Sequence, residues 1–89
     1  MKRVSIIVEG HVQGVGFRYF TTIMAESHHI KGWVRNQNNG NVEIEAEGHF
    51  HNLEAFIKDI RKGPRFSRVE NVIIHELDEI HGYDRFKQL

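Results

Sequence analysis

The segment richest in chemistry is Gly10-His11-Val12-Gln13-Gly14-Val15-Gly16-Phe17-Arg18, three glycines around a turn with an arginine just beyond. Glycine tolerates left-handed backbone and close approach, so Gly10, Gly14 and Gly16 let successive N–H groups converge on one small anion. A helix starting at Phe17 adds the positive end of its dipole to that convergence. Arg18 then stands in the first turn, where its guanidinium offers planar, charge-assisted bonds to phosphate oxygens and keeps its proton. The same residues also suit a plain tight turn followed by a solvated arginine. Walker-type nucleotide binding is disfavoured, because no Gly-Lys-Ser/Thr follows. A dinucleotide fingerprint is disfavoured too, because Gly14-Val15-Gly16 runs on to Arg18-Tyr19 without a third glycine.

Seven histidines invite a metal reading, and their placement argues against it. His28 and His29 are adjacent and so cannot share a helix face, while His49 and His51 would need two further ligands that no spacing supplies. No metal site is expected. His11 lies inside the glycine-rich turn, where it tunes the local potential or simply faces solvent. Glu43, Glu45 and Glu47 alternate with Val42, Ile44 and Ala46. This reads as the wet face of a strand and not as a carboxylate cluster.

The elements that must hold these residues follow from periodicity. Val4 to Glu9 alternates as a half-buried strand closed by Gly10. Phe17, Phe20, Ile23, Met24 and Ser27 recur at three- and four-residue spacing, which predicts a helix over 17–28. Trp33 to Asn36 is a short strand, Asn38-Asn39-Gly40-Asn41 a turn, and Val42 to Glu47 the returning strand, closed by Gly48. Leu53, Phe56, Ile57 and Ile60 form the stripe of a second helix over 50–61, stopped by Gly63-Pro64. Glu70 to Leu77 is β-branched, and Tyr83 to Phe86 is expected to add a short edge strand. The order β-α-β-β-α-β with a small C-terminal strand predicts an α+β, ferredoxin-like fold, an antiparallel sheet carrying both helices on one face.

Length and composition set the outer bounds. The 89 residues suffice for a single domain over 1–89, and 39% hydrophobic with 27% charged residues is an ordinary globular mixture. No apolar run exceeds three residues, against roughly 20 for a bilayer span. No leader-like hydrophobic region precedes Glu9, so a cytoplasmic location is expected, with no membrane partner. The absence of cysteine removes disulfides and thiolate chemistry. Twelve basic and twelve acidic residues cancel, which argues against a nucleic-acid partner and leaves a small anion as the expected ligand.

Two stretches carry a specific resemblance. Val8 to Arg18 resembles the first signature of the acylphosphatase family. Gly32-Trp33-Val34-Arg35-Asn36, with Gly40, Val42 and Gly48 at their intervals, resembles the second. The likeness extends over essentially the whole chain. It implies a monomeric hydrolase of acyl (carboxyl) phosphates that uses no cofactor or metal. Carried over residue by residue, Arg18 matches the family's phosphate-binding arginine and Asn36 its water-orienting asparagine. Gly10, His11, Val12, Gln13, Gly14, Val15 and Gly16 match its phosphate loop.

The chemistry implied is coherent. An acyl phosphate has a good carboxylate leaving group, so holding the equatorial oxygens and aligning a water can suffice. The chain departs from the family pattern at His28-His29, where relatives commonly have an apolar residue and glycine, and at Gln37, where many carry a small hydroxyl residue. A helix ending after His28 predicts a left-handed backbone at His29. Two other readings stand beside the enzyme. One is a ferredoxin-like RNA-binding domain, from the faint strand signal of Lys31-Gly32-Trp33-Val34. The other is a non-catalytic acylphosphatase-like binding module of the kind appended to larger maturation proteins that use carbamoyl phosphate. A chain beginning at Met1 without an appended domain favours the free enzyme.

Overall fold

In the computed structural model, which describes all 89 residues, the chain runs β1 (Lys2–His11), α1 (Phe17–Ser27), β2 (Lys31–Asn36), β3 (Val42–Gly48), α2 (Phe50–Lys62), β4 (Arg68–Leu77) and β5 (Phe86–Gln88). The strands form one sheet in the order β4-β1-β3-β2-β5. The first four pair antiparallel, but β5 runs parallel to β2, so the sheet is mixed where a wholly antiparallel one was expected.

Alternation decides which face the helices cover. Val4, Ile6 and Val8 of β1, Val34 of β2 and Val42, Ile44 and Ala46 of β3 are buried on one face. They share a core with Phe17 and Ala25 of α1 and Leu53, Phe56 and Ile60 of α2. Each large side chain so buried contributes on the order of 1.5–3 kcal/mol. The buried stripe of α1 is Phe17, Thr21 and Ala25, shifted from the expected one, and Ile23 faces solvent. Burying Thr21 is tolerated because its hydroxyl donates to the Phe17 carbonyl at 2.8 Å.

Several element ends differ by one or two residues from the sequence reading, and four of the differences have a clear local reason. β1 continues through Gly10 to His11 because Gly10 adopts φ 128° at a register shift against β4. A Cβ there would lie 2.1 Å from the Arg68 carbonyl oxygen, so only glycine admits the close approach. β2 begins at Lys31, ahead of Trp33, because Lys31 pairs with Glu47. β4 starts at Arg68 because it pairs with His11.

The fourth difference concerns β5, which is Phe86–Gln88 instead of Tyr83 to Phe86. Residues 81 to 83 are occupied otherwise: the N–H groups of His81, Gly82 and Tyr83 donate to the Glu47 carboxylate at 2.6, 2.9 and 3.1 Å. Glu47, expected on the wet face, is therefore only 1% exposed. Its charge is met by a nest of backbone amides. Pairing with β2 begins where the Gly32 N–H donates to the Arg85 carbonyl at 3.0 Å.

Candidate active site

The glycine-rich segment ends β1 and runs into α1 across the top of the sheet. Gly16 caps α1 in a left-handed conformation, φ 80°, and supplies no side-chain acceptor. No acidic residue stands in the first turn either. The first-turn amides of a helix lack intrahelical partners, so this end is left with donors unclaimed by any side-chain cap. Gly14 is also left-handed, φ 75°, and a Cβ at either glycine would meet nothing within 4 Å. No backbone hydrogen bond of the turns, loops or caps uses an N–H of residues 12 to 16 as donor. The result is a run of free amides beside the positive end of a helix dipole, the arrangement that receives a phosphate.

A cavity of about 120 Å³ opens over these amides, walled by Val12, Gly14, Gly16, Phe17, Arg18, Tyr19, Asn36 and Gln88. The fold thus brings Arg18, from the first turn of α1, to the same small space as Asn36, from the end of β2. Arg18 Nη1 donates to the Leu89 carbonyl oxygen at 2.8 Å, which holds one edge of the guanidinium and leaves other N–H groups for a ligand. Asn36 is half-buried beside Gln37, whose side-chain amide turns instead to Glu43 Oε1 at 3.4 Å.

Not every residue of the loop lines that cavity. Val12, Gly14 and Gly16 stand in its wall, while Gly10, His11, Gln13 and Val15 do not. Gly10 and His11 pair with β4, and His11 is exposed. Gln13 makes a clasp: its Nε2 donates to the carbonyls of Gln37 at 2.7 Å and Asn41 at 2.8 Å. The glycine-rich loop is thereby tied to the hairpin that carries Asn36. Phe17, Tyr19, Gln88 and the Leu89 contact were not singled out from the sequence. Phe17 entered there only as the start of the α1 stripe, and Tyr19 only as the residue that follows Arg18.

The histidines remain apart. His28 Nε2 lies 2.6 Å from Asp59 Oδ2 and links the two helices, and no three His, Cys, Asp or Glu side chains gather where they could share an ion. A larger cavity of about 490 Å³ lies on the other sheet face, between Trp33 and the segment 81–89. It shares no residue with the first. The amides of residues 81 to 83 on its wall are already bonded to Glu47, so they are not available to an anion.

Comparison with known proteins identifies the family. The acylphosphatase family model matches residues 4–88. The acylphosphatase of Bacillus licheniformis is 49% identical over 86 residues, covering 97% of this chain and 96% of that one. The crystal structure of acylphosphatase from Bacillus subtilis superimposes with a TM-score of 0.98 at 40% identity, over 100% of this chain and 99% of the other. HypF of T. kodakarensis is similar to this chain over 12% of its own length and 100% of this one, with 34% identity and a TM-score of 0.87. Sequence signatures, fold and near-complete coverage coincide, and the chain belongs to the acylphosphatase family.

Proposed function

We propose that this protein hydrolyses acyl phosphates to a carboxylate and inorganic phosphate, with Arg18 and the amides of the Gly10–Gly16 loop holding the phosphoryl group and Asn36 holding the attacking water. The observation that carries this is the meeting of free loop amides, an uncapped helix start, Arg18 and Asn36 around one small cavity. Arg18 neutralises two phosphoryl oxygens with the edge not engaged by Leu89. Within the loop, Val12, Gly14 and Gly16 approach the ligand directly, and Gln13 fixes the hairpin against them.

The reaction balances with these groups alone. Water attacks phosphorus, the bond from phosphorus to the bridging oxygen breaks, and that oxygen leaves as the carboxylate. The water's proton passes to a phosphoryl oxygen of the product. A carboxylate needs no general acid to depart, so positioning and charge stabilisation carry the rate. Asn36 is suited to its part because a neutral amide can both donate to and accept from a water without taking its proton. The protein is proposed to act as a cytoplasmic monomer on small diffusible substrates, its zero net charge giving no field for gripping nucleic acid.

The purified chain, assayed with benzoyl phosphate and acetyl phosphate in the presence of EDTA, is expected to release phosphate, with inorganic phosphate as a competitive inhibitor. Loss of turnover on chelation, restored by a divalent ion, contradicts the metal-free mechanism.

A further inference from the structure

The cavity over the loop amides, at about 120 Å³, is well below the roughly 300 Å³ at which pockets for whole organic ligands begin. A phosphoryl group fits inside it, and the rest of an acyl phosphate must emerge at the mouth. Three residues of the cavity wall carry apolar or aromatic side chains. Two of these, Val12 and Phe17, are 1% and 2% exposed and belong to the core. The third is Tyr19, which is 66% exposed.

Tyr19 therefore offers apolar surface at the mouth that reaches solvent. The aromatic pair of α1 is Phe17 with Phe20, at 5.9 Å between ring centroids, and leaves Tyr19 out. Tyr19 lines the same small cavity as Arg18, the guanidinium assigned to the phosphoryl group, so an acyl group leaving the cavity passes within reach of the ring. The hairpin surface on the Asn36 side, Arg35 to Asn39, has no apolar side chain.

We propose that Tyr19 sets the acyl-group preference of the enzyme, its ring packing against aryl or extended apolar acyl groups and giving acetyl phosphate nothing comparable to touch. The inference rests on the acyl phosphate reading above and adds to it the class of substrate favoured. An aromatic contact at a partly wet surface is worth about a tenfold change in the specificity constant.

The test compares wild type, Tyr19→Ala and Tyr19→Phe by kcat/KM for benzoyl phosphate and acetyl phosphate, with inorganic phosphate as inhibitor. The benzoyl-to-acetyl ratio is expected to fall about tenfold in the alanine variant and to persist in the phenylalanine variant, with phosphate inhibition alike in all three. An unchanged ratio in Tyr19→Ala, or equal loss on both substrates, overturns the assignment. Wild-type protein that hydrolyses neither compound overturns the parent reading and this one with it, a result distinct from a shared loss in the variant.

Discussion

Asn36 tests the division of labour at the site, since its amide is assigned to water and Arg18 to phosphate. Asn36→Ala should lower kcat roughly a hundredfold, the usual cost of misplacing a reacting group, while the inhibition constant of inorganic phosphate moves little. Equal weakening of turnover and phosphate binding would instead make Asn36 a phosphate ligand, and Asn36→Asp, which adds negative charge beside an anionic substrate, should not restore the rate. That Arg18, Asn36, Gly14 and Gly16 share one small space was legible in the sequence because their types and spacing form two long signatures, whereas Gly10, read with them, pairs with β4 and lies outside the cavity wall. Gln13 was legible as part of the loop but not as a clasp, because its partners are the carbonyls of Gln37 and Asn41, 24 and 28 residues away. Nothing local marks Gln88 or the carbonyl of Leu89, which arrive at the site only because β5 pairs with β2.

Among the elements, the end of α1 and the latch of the 81–83 segment carry separate consequences. His29 has φ 58°, its N–H donates to Glu26 and that of Ile30 to Ala25, so the helix closes in a Schellman motif with a histidine where glycine is usual. His29→Gly should be neutral to mildly stabilising and His29→Val should cost about 1 kcal/mol or more in a urea titration, with kcat unchanged because the site lies at the other end of α1. The reverse order of stability would mean that the left-handed strain at this position is not what the backbone suggests. At the latch, burial first and then its hydrogen bond to Glu45 raise the Tyr83 hydroxyl above its ordinary value of 10.0. The folded state thus holds this proton more tightly than the unfolded chain does, so the contribution is complete below about pH 10 and is lost as pH rises through the folded value. Urea midpoints measured from pH 7 to 11 should fall more steeply for wild type above pH 10 than for Tyr83→Phe, and parallel profiles would remove Tyr83 from the alkaline response. The strands and helices were legible because alternation and the apolar stripes are strong signals; β5 was placed three residues early because its start is fixed by Glu47, a residue that alternation assigns to solvent.

At the scale of the whole molecule, the fold works as a frame that brings three chain segments to one corner. The β1-to-α1 turn supplies the proposed anion cradle, the end of β2 supplies Asn36, and the Gln13 clasp with the Arg18–Leu89 contact locks turn, hairpin and C-terminal strand together. Val12 and Phe17 belong both to the cavity wall and to the core of 14 buried residues, whereas Arg18 lies outside that core and can be substituted without opening it. That separation makes Arg18→Lys the most direct trial of the account, because lysine keeps the charge but replaces a planar fork with a single ammonium. Benzoyl phosphate turnover by the Arg18→Lys protein, with its unfolding midpoint measured alongside, should fall at least a hundredfold, on the scale of losing one charge-stabilising donor group, with the fold retained. Near-normal turnover in a folded Arg18→Lys protein would contradict the assignment of the phosphoryl group to this guanidinium.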